Sequence, residues 1–268
     1  MQVPKIVNEV LDTYFSLIDY KLPNLLESYY LYGSVSLGAF NPGSSDIDFF
    51  AVVKRELAES DVEILKRIHS EVQEKFPKLY LDGIYVTVDN LRGDSDTLGP
   101  YFNEGKLQGY KPFIKDHIDA YQIIKYGIVI KGDPEKYGIS VDWNLLLENM
   151  LENLDTYWVN WKKRCERIGT PEYIGMFSSL ACIEWGVLGV TRLYYTFMEG
   201  DITSKVSSGE YALKTLPRKW HSIINESMRT RKNIKKSYYR SVFTRRRDAL
   251  DYMEFVIQEC NKFKCLKG

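Results

Sequence analysis

Residues 28–53 read SYYLYGSVSLGAFNPGSSDIDFFAVV. Two short apolar and aromatic runs, Ser28–Tyr32 and Asp46–Val53, flank the pair Gly33-Ser34 and the turn Asn41-Pro42-Gly43, which is the composition of two neighbouring strands. After eleven intervening residues Ser34 is followed by Asp46-Ile47-Asp48, at the start of the second run. Residues two apart on a strand share a face, so Asp46 and Asp48 set two carboxylates side by side at the mouth of the sheet. Such charges repel, and a divalent cation resolves the conflict. Hard oxygen donors with room for substrate phosphates fit magnesium, held by one or two carboxylates plus a nucleotide. Two ions would polarise both the attacking and the leaving oxygen. Gly33 lets the backbone approach a phosphate, and Ser34, at a helix start, offers a hydroxyl and an amide. Ser45 can do likewise. Taken singly, Gly-Ser is a common turn and paired aspartates often solvate a strand end; the order and the strand context carry the reading.

Outward from this segment, residues 4–27 carry apolar positions at helical spacing, with Pro23 opening a second short helix. Glu56–Phe76 is helical and Leu79–Val88 is β-rich, so the first third alternates α, β, β, α, β. Leu91 to Pro112 is Gly-rich, polar and aperiodic, the signature of a long loop, followed by a helix over Asp116–Tyr126 and a last strand over Gly127–Lys131. After Gly132-Asp133-Pro134 the pattern changes: residues 141–168, 173–199, 204–215 and 241–264 all read as helices, a bundle. The expected architecture is an α/β domain with a small mixed sheet over residues 1–139, then an all-α helical domain over residues 140–268.

Composition narrows the classes. With 36 basic and 36 acidic residues in 268, and 44% apolar content, the chain can bury a core in each domain, and its overall charge argues for neither nucleic acid nor an anionic membrane as a required partner. The amino terminus MQVPKIVNEVL lacks a secretory pattern and no stretch has the length of a membrane span, so a cytoplasmic monomer is expected. Cys165, Cys182, Cys260 and Cys265 have no paired spacing, and His69, His117 and His221 stand far apart. They read as core or inert thiols and not as a zinc site.

The constellation L-Y-G-S-x-x-x-G followed by S-D-I-D-F resembles the signature of the polymerase-β nucleotidyltransferase superfamily, and the chain as a whole is most similar to the streptomycin and spectinomycin adenylyltransferases. The resemblance implies a polymerase-β-like amino-terminal domain and transfer of AMP from ATP to a hydroxyl of an aminoglycoside or aminocyclitol antibiotic, with magnesium as cofactor. It implies a third carboxylate from a nearby strand, which Asp82 in L-D-G-I-Y-V-T-V supplies as metal ligand, base or both. In the second half, T-R-L-Y-Y-T-F-M-E-G-D-I-T-S-K over residues 191–205 looks like the family's helix, Gly turn and Lys. Arg192 and Lys205 are thereby assigned to phosphates, chemistry that an Arg fork and a Lys point charge both suit.

The pattern departs from the family at named positions. Asp82 stands where the drug enzymes usually carry Glu. Cys182 takes the place of an acidic streptomycin ligand and Trp185 that of a polar residue, which ranks spectinomycin ahead of streptomycin; Glu184 and Trp185 are retained as acceptor-site candidates. Phe102-Asn103-Glu104-Gly105 replaces a substrate-contacting Trp, leaving Glu104 as a further candidate. Arg229–Arg247 holds nine Lys or Arg with no acid between Glu226 and Asp248. It is expected to be a solvated loop and helix face, with phosphate contact or an RNA-facing patch as its functional readings. Rival readings of the chain are nucleotide transfer to tRNA or a protein, and a non-catalytic nucleotide- or drug-binding relative.

Overall fold

The computed structural model describes residues 2–92, 98–133 and 137–266. The chain splits into two compact units, Met1–Asp142 and Trp143–Gly268.

In the first unit α1 (Lys5–Lys21) buries Val7, Val10, Leu11, Tyr14 and Ile18, one stripe at helical spacing. No second helix opens at Pro23. Asn24 adopts a positive φ of 61° and the chain turns directly into β1 (Leu26–Leu31). A single helical turn, α2 (Gly33–Ser36), leads to β2 (Ile47–Val53). There follow α3 (Glu59–Lys75), β3 (Leu81–Thr87), the short α4 (Val88–Arg92), β4 (Gly99–Asn103), β5 (Lys106–Lys111), α5 (Ile118–Tyr126) and β6 (Ile128–Lys131). They form one mixed sheet in the order β5-β4-β3-β2-β1-β6, in which only β2 and β3 run parallel.

Alternation along the central strands decides what faces where. Tyr29, Leu31, Ile47, Phe49, Ala51, Val53, Leu81 and Tyr85 join α1 and α3 in the larger apolar core. Tyr30, Phe50, Val52 and Val86 face the other way, into a thinner cluster with Leu91 and Tyr137. Covered on both sides, β2 reads as a continuous apolar run. His69 belongs to the larger core: it stacks on Phe102 with centroids 3.9 Å apart, and its Nε2 meets the Tyr85 hydroxyl at 2.9 Å. Burial pushes its pKa down to about 3, so it is a neutral packing residue.

The loop expected from Leu91 to Pro112 is a β-hairpin over its second half; residues 93–97, like Pro134, lie outside the described residues. The sequence hides β5 because it is the sheet's edge: Lys106–Lys111 (KLQGYK) is mostly exposed and carries no apolar alternation.

The second unit is helical: α6 (Trp143–Asn153), a π-helical turn (Leu154–Trp158), α7 (Val159–Glu166), α8 (Pro171–Ser178), α9 (Leu180–Glu199), α10 (Lys205–Thr215), a 3-10 turn (Arg218–Trp220), α11 (His221–Arg231) and α12 (Val242–Leu266). Two of the expected long helices are interrupted. The 141–168 stretch contains the π-helical turn, and the 173–199 stretch breaks at Ser179, which caps α9 by accepting from the Cys182 amide, 3.2 Å. α11 is an additional helix. The buried α9 packs against α10, α11 and α12, and a Cβ on its Gly189 would lie 2.0 Å from the Trp158 ring. Cys165 and Cys260 are buried, as core thiols are expected to be; the side chain of Cys265 lies outside those described. No single helix among the described residues is long and apolar enough to cross a membrane; α8 and α9 pass that test only as a pair bent by 103°.

One position tests the central packing. A Cβ at Gly83 would lie 1.9 Å from the Phe49 carbonyl oxygen, an obstacle of backbone that cannot swing aside. Gly83→Ala is expected to destabilise the chain by about 2–3 kcal/mol or more, read as a lowered urea midpoint at unchanged m.

Candidate active site

The parallel register of β2 and β3 pairs Asp48 directly with Asp82. Both have the parity of Phe50, Val52 and Val86, so both carboxylates lie on the thinly covered face of the sheet. Asp46, two residues before Asp48, shares that parity and is exposed. The structure thus brings all three predicted carboxylates to one face, at the amino-terminal ends of two adjacent strands.

Each is held by its neighbours. Gly33, at φ 64°, leaves no room for a side chain: a Cβ there would sit 1.8 Å from Asp48 Oδ2. The close approach that requires glycine is therefore that of the Asp48 carboxylate, which also accepts a hydrogen bond from the Ser34 amide. The Ser34 hydroxyl is buried without a hydrogen-bond partner, a polar atom that a ligand oxygen would satisfy. Ser45, in contrast, accepts from the Asn41 amide at 3.1 Å and closes the loop ahead of β2. Asp82 accepts from Asn103 Nδ2 at 3.0 Å and from the Gly105 amide at 3.2 Å. Asn103 and Gly105 lie at the β4–β5 turn, where Glu104 and Gly105 both take positive φ. Glu104 itself lines a cavity of about 680 Å³ with Lys66, Gln73, Tyr80 and Lys106.

Electrostatics mark the cluster. Asp48 is pushed up to about 8, first by burial and then by Asp119, Asp46 and Asp82. Asp82 is pushed up to about 6, chiefly by burial, with Asp46 and Glu104 adding to it against the hairpin amides. Tyr32 and Tyr101 face the same charges, and burial first, then Asp119, Asp48 and Asp82, raises both phenols. Asp119, Tyr32 and Tyr101 are absent from the sequence reading. Asp119 sits in the first turn of α5 behind the cap residue His117, a place that nothing in its sequence neighbourhood ties to the motif. Among the described residues no set of three His, Cys, Asp or Glu side chains is placed to hold a metal ion alone. A carboxylate cluster that raises its own proton affinity fits a divalent cation whose remaining ligands are substrate oxygens.

In the second unit Lys205 Nζ pairs with Glu184 Oε1 at 2.9 Å and lies 4.8 Å from the centre of the Trp185 ring. Burial, with Arg192 and Arg231 nearby, lowers Lys205 to about 8 against the opposing pull of Glu184. Glu184 is buried, whereas Trp185 is 41% exposed and stacks on Trp158 at 6.1 Å. Residues 184, 185, 192 and 205 are thus one assembly, with Glu184 serving Lys205.

The pH dependence of the metal-free chain follows from Asp48. Unfolded, its carboxyl loses its proton near pH 4; folded, it keeps the proton to about pH 8. The folded state binds the extra proton, so this group's contribution to stability is complete below pH 4 and is lost as pH rises toward 8. Asp48→Asn is expected to leave melting at pH 4 unchanged and to raise it at pH 9, by differential scanning calorimetry in chelator.

Comparison with known proteins bears on the two units and their fold. Residues 20–97 match the family described as nucleotidyltransferase domain, and residues 184–254 match the aminoglycoside adenylyltransferase, C-terminal domain. No curated protein sequence matches. Among solved structures, the spectinomycin adenyltransferase AAD(9) from Enterococcus faecialis, with ATP and spectinomycin, shares the fold: TM-score 0.66 at 15% identity, over 92% of this chain and 99% of that one. These matches support the aminoglycoside adenylyltransferase family: a nucleotidyltransferase domain in the first unit, the carboxy-terminal domain of those enzymes in the second, and the fold of AAD(9) over the chain.

Proposed function

We propose that the chain transfers AMP from ATP to a hydroxyl of an aminocyclitol antibiotic, spectinomycin ahead of streptomycin, releasing pyrophosphate. The observation that carries the reading is the pairing of Asp48 with Asp82 across β2 and β3, with Asp46 on the same face and the Ser34 hydroxyl buried without a partner. AAD(9), of the same fold, is a spectinomycin adenyltransferase whose structure holds ATP and spectinomycin.

Asp46 and Asp48 are assigned to magnesium, with Asp82 as a further ligand. Bound magnesium would supply charge neutralisation of the triphosphate and polarisation of the reacting oxygens. Asp82 also takes the proton of the acceptor hydroxyl. Its two hydrogen bonds from the hairpin fix its orientation, and burial raises its proton affinity in the free chain. The acceptor oxygen attacks the α-phosphorus and pyrophosphate leaves. The Ser34 hydroxyl positions phosphates and Arg192 and Lys205 neutralise them, while Gly33 admits the Asp48 carboxylate and Ser45 closes the loop ahead of β2. Cys182 in place of an acidic residue and the exposed Trp185 favour the less cationic of the two drugs, since each added cation calls for a carboxylate.

The deciding experiment is mass spectrometry of spectinomycin and of streptomycin after incubation with the chain, ATP and magnesium. An AMP adduct on spectinomycin is expected, and its absence on both drugs would overturn the acceptor assignment. Asp46→Asn is expected to lower turnover by about a thousandfold, the scale of a lost transition-state charge stabiliser. Glu184 separates two roles. Acting through Lys205, Glu184→Gln raises KM for ATP and leaves KM for the drug unchanged; an acceptor ligand would give the reverse.

A further inference from the structure

Six of the nine cations from Arg229 to Arg247 fall into two populations. The inner one is spent on packing. Glu226, fully buried, accepts from Arg229 Nε at 2.8 Å and Nη2 at 2.6 Å, and Arg245 Nη1 lies 3.7 Å from it. Arg246 is spread over the rings of Tyr173 and Phe177, 4.7 and 5.0 Å from their centres.

The same buried pair ties down the connection between α11 and α12. Glu226 accepts from the Ser237 hydroxyl at 2.9 Å and the Tyr238 amide at 2.9 Å, and Arg229 Nη1 donates to the Ile234 carbonyl at 2.8 Å. The Tyr239 hydroxyl donates to Asp248 Oδ2 at 2.9 Å. This loop is anchored from beneath at four residues.

The outer population is what the anchoring displays. Lys235, Lys236 and Arg240 are exposed and have no acidic partner among the described residues. Beside them stand the two most exposed aromatic side chains described in this unit, Tyr238 at 60% and Phe243 at 72%. Phe243 is fixed edge-on against Phe177 at 5.4 Å.

We infer that this loop and the start of α12 form a docking surface for single-stranded nucleic acid. Free cations meet successive phosphates, and exposed rings stack on bases without regard to sequence. With no net charge on the chain, the attraction is local to this patch. Its anchored backbone has little conformational freedom left to lose on binding. An anionic membrane is the poorer match, because an interfacial anchor presents an amphipathic helix, whereas these lysines lie on an irregular loop. The inference stands apart from the proposed AMP transfer, since none of these residues is assigned to that reaction.

The test is fluorescence anisotropy of a labelled short oligouridylate with the full chain across a potassium chloride series. Three phosphate contacts predict a log–log salt slope of about −2. The triple variant K235A/K236A/R240A is expected to flatten that slope and weaken low-salt binding at least tenfold; Tyr238→Ala and Phe243→Ala are each expected to weaken it about tenfold at unchanged slope. Melting curves show that each variant is folded, and K235Q/K236Q gives the same reading should the triple variant melt early. No binding by the parent chain at low salt, equal binding by the charge variants, or equal binding by the aromatic variants would each overturn the inference. So would capture of phosphatidylserine vesicles in the absence of oligouridylate binding. Drug adenylylation by the variants, measured in parallel, keeps a failure here distinct from a failure of the proposed reaction.

Discussion

Like-charge crowding at the start of β2 and β3 is the constraint on which the first unit is arranged. A parallel register that opposes Asp48 to Asp82 puts two carboxylates next to each other where burial already disfavours their ionised forms. Nothing in a hydrophobic core benefits from this. The surrounding structure is fitted to it all the same: Gly33 gives up its side chain to Asp48, the Ser34 amide is aimed at the same carboxylate, and the hairpin turn spends an amide and an Asn side chain on Asp82. A site that holds charge unfavourably in the free protein is poised to gain from a cation and a phosphate ester, the preorganisation that phosphoryl-transfer chemistry requires.

The strands that carry this arrangement were legible because two periodicities agreed on them. β2 alternates carboxylate and apolar residues at its start and then turns continuously apolar, and that change marks where a doubly covered strand emerges at its exposed end. The spacing from Gly33-Ser34 to Asp46-Ile47-Asp48 then fixes which end is functional. The hairpin was illegible for the opposite reason: an edge strand that meets the core mainly through Leu107 has little apolar pattern to show, and most of Lys106–Lys111 is polar. Asp119 and Tyr101 come from segments far from the motif, and only the folded sheet places them beside Asp48. Their residue types carry no signal of their own.

In the second unit the reading by residue type was incomplete in another way. Glu184, Trp185, Arg192 and Lys205 could be picked out singly, yet whether a buried acid meets a drug or a neighbouring ammonium depends on side-chain packing across two helices. In the free chain the Glu184 carboxylate is directed at Lys205, 2.9 Å away. A buried lysine next to two arginines needs such a partner to remain charged, because desolvation and like charge both push its proton off. Glu184 then tunes the cation; without it Lys205 would sit lower than its value near 8 and offer less charge at neutral pH.

The basic stretch shows the same division of labour with opposite sign. A run of nine cations looks uniform as sequence, but a single buried carboxylate sorts it. Glu226 neutralises Arg229, lies near Arg245, and collects the Ser237 and Tyr238 donors, so that the connection cannot collapse onto the helices. Removing a lone surface lysine would cost such a structure little, whereas removing Glu226 would leave buried guanidinium charge uncompensated and release the loop together. Lys235, Lys236 and Arg240 therefore hold their positions without an ion pair of their own, and what fixes the loop that carries them is the buried pair of Glu226 and Arg229.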